Sequence, residues 1–219
     1  MCKRFRVLGI LLALTVAVSV SAQADNIALT FTGGQPFAGI LGPLPLTIGW
    51  EFSLSTPVIV TQLGFYDVGN NGYPPPGDGL LVSHPVAIWD VSTQTLMASA
   101  TVPQGTNATL DQDFRWVSVS PFTLAAGTYR IGAEIAVNGY DDFYYSDTGT
   151  RTTAYPVIYN SGALLQGAFG YPDSFGDVSH GRFGPNFQFN AVPEPATMLL
   201  LGSGLIGLAG YGRKKFFKK

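Results

Sequence analysis

His84 and His180 are the only side chains of this sequence that titrate near neutrality, and a hydrolytic triad would have to be built on one of them. His84 opens a strand-like run before Pro85, and His180 lies in the Gly-rich stretch Ser179-His180-Gly181. No serine of the central region stands in a Gly-x-Ser-x-Gly elbow, so nucleophilic catalysis finds no support. Asp141-Asp142, and Asp111 with Asp113, supply the paired carboxylates that glycoside hydrolysis uses. Asp141 and Asp142 follow Gly139 in a turn-like stretch, however, where aspartate caps its own backbone. The expectation is a protein without enzymatic activity.

Two groups of residues suit binding better. Asp67, Asn70, Asn71 and Asp78 crowd one Gly/Pro-rich segment, and their oxygens are of the kind that holds Ca²⁺. Their spacing is not that of an EF-hand, and ordinary Asx turns account for the same composition. Calcium is therefore the one cofactor suggested. The second group is aromatic: Tyr140, Phe143, Tyr144, Tyr145, Tyr155, Tyr159 and Tyr171. Rings beside Asp and Asn are what carbohydrate recognition needs, stacking on sugar C–H faces while the polar groups take the hydroxyls. Core packing along alternating strands is the ordinary account of such rings, and Tyr140, Phe143, Tyr144 and Tyr145 are the candidate ligand surface.

The elements that must position these residues are strands. From Ile27 to Phe189 the apolar pattern has period two and is broken by turn residues every ten or so positions. Strands are predicted over Ile27–Thr32, Leu46–Leu54, Val58–Tyr66, His84–Val91, Thr95–Val102, Phe114–Ser120 and Thr128–Val137. Weaker ones follow over Phe143–Ser146, Val157–Tyr159 and Phe183–Phe189. Glycine (27) and proline (15) supply the turns. Roughly ten short strands without a helical stripe argue for an all-β, antiparallel β-sandwich, jelly-roll-like in connection.

Charge is segregated along the chain. Between Asp25 and Val192 there is no lysine, and four arginines stand against 13 acids, a formal charge of −9. Phosphate backbones would repel such a domain, which excludes nucleic acid as a partner. The single cysteine, Cys2, lies outside this stretch, so neither disulfide nor thiolate site is available to it.

Both ends read as addresses. Residues 1–24 have a basic start (Lys3, Arg4, Arg6), an apolar run from Val7 to Val20, and a small-x-small site at Ala22-Gln23-Ala24. That is the layout of a signal peptide cut by signal peptidase. The other end, 192–219, begins Val192-Pro193-Glu194-Pro195. It continues through 17 uncharged residues from Ala196 to Gly212 and closes on Arg213, Lys214, Lys215, Lys218 and Lys219. As a helix the apolar run would reach ~25 Å, a short membrane span, and the five cations would stop it on the cytoplasmic side. Two prolines keep the segment before it extended and open to a protease.

The order Pro-Glu-Pro, Gly-rich apolar helix and basic terminus resembles the PEP-CTERM sorting signal of Gram-negative bacteria, a tail sometimes labelled an ice-binding protein C-terminal region. The resemblance implies recognition and cutting by an exosortase, a membrane transpeptidase-like protease, in a setting of exopolysaccharide and biofilm. The middle of the chain resembles an uncharacterised secreted-domain family. Ile48-Gly-Trp-Glu-Phe-Ser53, Leu63-Gly-Phe-Tyr-Asp67, Asp78-Gly-Leu80, His84-Pro-Val-Ala-Ile-Trp-Asp90, Leu96-Met-Ala-Ser-Ala-Thr-Val102 and Gly127-Thr-Tyr-Arg-Ile-Gly132 carry that likeness, and no catalytic residues come with it. Three readings follow for the domain at 25–191. They are a cell-surface or matrix protein exported through the inner membrane, a module binding the exopolysaccharide itself, and, less favoured, an ice-binding surface.

Overall fold

The computed structural model describes residues 25–33, 35–37, 45–67, 79–135, 143–146, 149–175, 181–192 and 202–204. The early strands are β1 (Asn26–Ile27), β2 (Leu29–Thr32), β3 (Gln35–Phe37), β4 (Leu46–Leu54) and β5 (Val58–Tyr66). The middle holds β6 (His84–Asp90), β7 (Leu96–Val102), β8 (Thr109–Asp111), β9 (Phe114–Leu124) and β10 (Gly127–Ile135). Last come β11 (Phe143–Ser146), β12 (Thr150–Thr153), β13 (Val157–Gln166), β14 (Ser174–Phe175), β15 (Gly181–Phe183) and β16 (Pro185–Ala191). The chain is all-β, and every pairing between these strands is antiparallel.

Two sheets dominate. One runs β1-β16-β5-β9-β8, the other β14-β13-β4-β10-β6-β7, and two small sheets, β15-β11-β3 and β12-β2, lie beside them. The alternation of β4 shows why the large sheets face each other. Ile48, Trp50, Phe52 and Leu54 are buried on one side, while Glu51 and Ser53 look the other way and are only half-buried. On β10 the register places Tyr129, Ile131 and Ala133 opposite Phe52, Trp50 and Ile48, so one apolar stripe crosses the sheet. It meets Phe187 and Phe189 of β16. The Trp50 and Phe187 rings stack at 6.0 Å and 17°, and Trp50 Nε1 donates to the Pro185 carbonyl at 2.8 Å, tying the sheets together.

Strict alternation does not survive everywhere. In β5 the register shifts between Val60 and Gln62, so Val58, Val60, Leu63 and Phe65 all reach the core although their spacing changes parity midway. Pro121 sits where β9 is irregular opposite that bulge, a place where no amide is needed. For this reason β9 extends to Leu124 instead of stopping at Ser120. β13 likewise runs to Gln166, well beyond Tyr159, with a bulge between Tyr159 and Ser161.

Candidate functional site

The sorting segment begins where the fold ends. β16 lies between β1 and β5, and its last pair joins Ala191 to Val58. Val192 follows directly and is exposed. Pro193, Glu194 and Pro195 lie outside the described residues, as do the cleavage residues Ala22 and Ala24 and the cations Arg213, Lys214, Lys215, Lys218 and Lys219. Within the apolar run only 202–204 are described, and they are helical. No helix among the described residues is long and apolar enough to cross a membrane.

Of the candidate calcium ligands, Asp67 is described, and it is buried. Its Oδ2 accepts from Arg115 Nε at 2.7 Å, and Arg115 Nη1 donates onward to the Ala108 carbonyl at 3.0 Å. Asn70, Asn71 and Asp78 lie outside the described residues, among which no group of three or more His, Cys, Asp or Glu stands close enough to hold a metal ion. Phe143, Tyr144 and Tyr145 form β11 between β15 and β3, and Tyr140 lies outside the described residues. His84 is buried, stacked on Phe65 at 3.7 Å between ring centroids, with Nδ1 2.6 Å from the Glu134 carbonyl. That environment fits a packed core histidine.

Polar side chains converge instead on the outer face of the six-stranded sheet. Register places Glu51 of β4 beside Arg130 of β10, and Arg130 Nε donates to Glu51 Oε2 at 2.9 Å. Asn160, at the β13 bulge, donates to Ser53 Oγ at 2.8 Å and to Glu51 Oε1 at 3.3 Å, and Ser53 and Thr128 share a hydroxyl contact at 3.3 Å. The segment from Gly167 to Asp173 folds over one end of this face. Tyr171 lies 5.0 Å from the Arg130 guanidinium carbon, which also brings Nη1 to the Pro172 carbonyl, and Phe169 packs on Trp89 at 5.6 Å. Burial raises the Tyr171 hydroxyl above its ordinary pKa, with Arg130 opposing. Ser161, opposite Glu51 and so on this face, keeps a buried hydroxyl with no hydrogen-bond partner among the described residues.

Alternation alone puts Thr128, Arg130 and Glu134 on one face of their strand. It could not pair Arg130 with Glu51 across 79 positions, nor foresee that Asn160 and Ser161 share a bulge.

The model of one family, described as the PEP-CTERM protein-sorting motif, matches residues 191–214. No curated protein matches the chain.

Proposed function

From a chain that carries a PEP-CTERM sorting motif, and is thereby an exported protein directed to an exosortase, we infer a non-enzymatic surface or matrix protein whose folded cargo is the β domain. One observation carries this reading: the match to the motif begins at Ala191, the residue where the last core strand ends. Strand order suits such a cargo. Setting aside β8 at one edge, and β14 with its neighbour β13 at another, the order β1-β16-β5-β9 against β4-β10-β6-β7 fits a jelly roll. Anchoring falls to residues 196–212 before cutting, and release to the cell surface follows. In the native host, Pro193→Ala with Glu194→Gln should accumulate uncut chain in the membrane, whereas the unaltered chain yields a shorter form outside. Intact mass decides it. Unaltered protein that retains Lys219 outside the cell would defeat the sorting reading.

A second reading, binding of extracellular polysaccharide, draws on the outer face of the six-stranded sheet. Glu51, Ser53, Thr128 and Asn160 present donors and acceptors already fixed by one another, next to the Tyr171 ring. Retention of the domain on the host's exopolysaccharide, lost in Asn160→Ala with a folded core, is the expected result. Retention unchanged in that variant excludes this face.

A further inference from the structure

The strand directions sort the domain into two ends. Ala191 of β16 pairs with the start of β5 at Val58, which pairs with the end of β9 at Leu124. In the other sheet the start of β13 at Val157 pairs with Leu54 at the end of β4, which pairs with Gly127 at the start of β10. The Ser55 amide donates to the Pro156 carbonyl at 3.3 Å, and the Val91 amide to the Thr128 carbonyl at 3.0 Å, so the turn leading into β7 belongs to this end too. The sorting tail leaves from this rim.

Exposed large apolar side chains gather at the same rim. Tyr155 is 78% exposed, Ile158 53% and Leu96 51%, and Met97 and Val192 are exposed at this end too, with β7 and β13 separated by three strands of the sheet. Only Leu81 and Leu110 of that kind lie elsewhere among the described residues. Described acids show the opposite bias, apart from Glu51, which lies within β4 and is paired with Arg130. Asp67, Asp111, Asp113, Glu134 and Asp173 lie toward the far end, where β5 and β10 finish and β9 begins. The tail-side rim holds Asp25 and Asp90, and the Asp90 carboxylate is engaged by Ser92 and Thr93.

Reach then decides what this rim faces. From Val192 to Ala196 the extended chain covers at most ~14 Å. The headgroup layer on each side of the ~30 Å hydrocarbon core is itself ~5–8 Å thick. An anchored domain so tethered keeps the point where its tail leaves the rim within ~10 Å of the headgroup layer.

We propose that this rim is a membrane-seating surface, with Tyr155, Ile158 and Leu96 resting in the headgroup layer while the tail is uncut. The proposal rests on the sorting reading and names the lipid surface as the partner of the domain during processing. Tyrosine and aliphatic side chains gain there from partial burial, the phenol keeping its hydroxyl in water.

The test uses the full chain with Cys2→Ser and one new cysteine, Tyr155→Cys or Ile158→Cys at the rim and Leu110→Cys at the far end, each bearing an environment-sensitive dye. The chain is reconstituted into phosphatidylethanolamine–phosphatidylglycerol vesicles holding a headgroup-level spin-labelled quencher. The dye at 155 and at 158 should be quenched several-fold more than at 110. A chain that floats with the vesicles yet quenches equally at all three positions overturns the membrane-seating surface alone. A chain that does not float with them overturns the anchor reading, and this proposal with it.

Discussion

Two carboxylates illustrate how differently this domain uses its charges. Asp67 is almost wholly buried against Arg115. Removing one partner of such a pair strands the other charge in the interior, at a cost of about 3–5 kcal/mol. Asp67→Ala should therefore shift the urea midpoint sharply downward with little change in slope, and a shift worth under ~1 kcal/mol would show that Arg115 finds water instead. Asp90 does lighter work in the turn before β7. The Ser92 hydroxyl donates to it at 2.6 Å and the Thr93 amide at 2.9 Å, which hold its pKa below the ordinary value. A depressed folded pKa stabilises above the unfolded value of ~3.9 and loses that contribution as pH falls through the folded one. The Asp90→Asn variant keeps an acceptor at this position but cannot titrate there. Its loss of stability below about pH 4 should accordingly be shallower than that of the unaltered domain, read as Tm against pH.

At the scale of elements, β16 is the strand on which the rest depends. It is last in the domain yet stands inside the five-stranded sheet, and it supplies the fully buried Phe187 and Phe189. Losing two buried phenylalanines would cost several times ~3 kcal/mol once the unpaired edges of β1 and β5 are added. A chain stopped after Gly184 should fail to give a cooperative transition. One stopped after Val192 should match the unfolding of the longer chain, because nothing described beyond Ala191 is paired to the core strands. Loss of folding in the 192-residue form would mean that the tail itself packs on the domain.

For the molecule as a whole, stability must come from the packed sandwich. The stretch from 25 to 192 has no cysteine, and the Asp67 carboxylate is already committed to Arg115. Millimolar Ca²⁺ should leave the Tm of this domain within about a degree, since ligand binding raises Tm only by what it adds to the folded state. A rise of several degrees that disappears in Asp67→Asn would instead establish a calcium site in the 67–79 loop. The far-UV spectrum should show strand and essentially no helix in either case.

What could be read along the chain was whatever depends on neighbours in sequence. Period-two alternation announced strands such as β4 and β10 with nearly correct limits, because burial of one face imposes that rhythm locally. The sorting motif was equally legible, since it is a linear pattern carried by consecutive residues, 191–214. Tertiary structure decided what depends on register. The bulge at Thr61 reverses which residues of β5 face inward, and the partnership of Glu51 with Arg130 exists only because β4 and β10 are adjacent. The same holds for the rim, where residues 54–58, 91–96, 124–127, 155–158 and 191–192 meet. Antiparallel pairing brings them together from across the chain, and a one-residue slip would disperse them, so no local pattern could encode it.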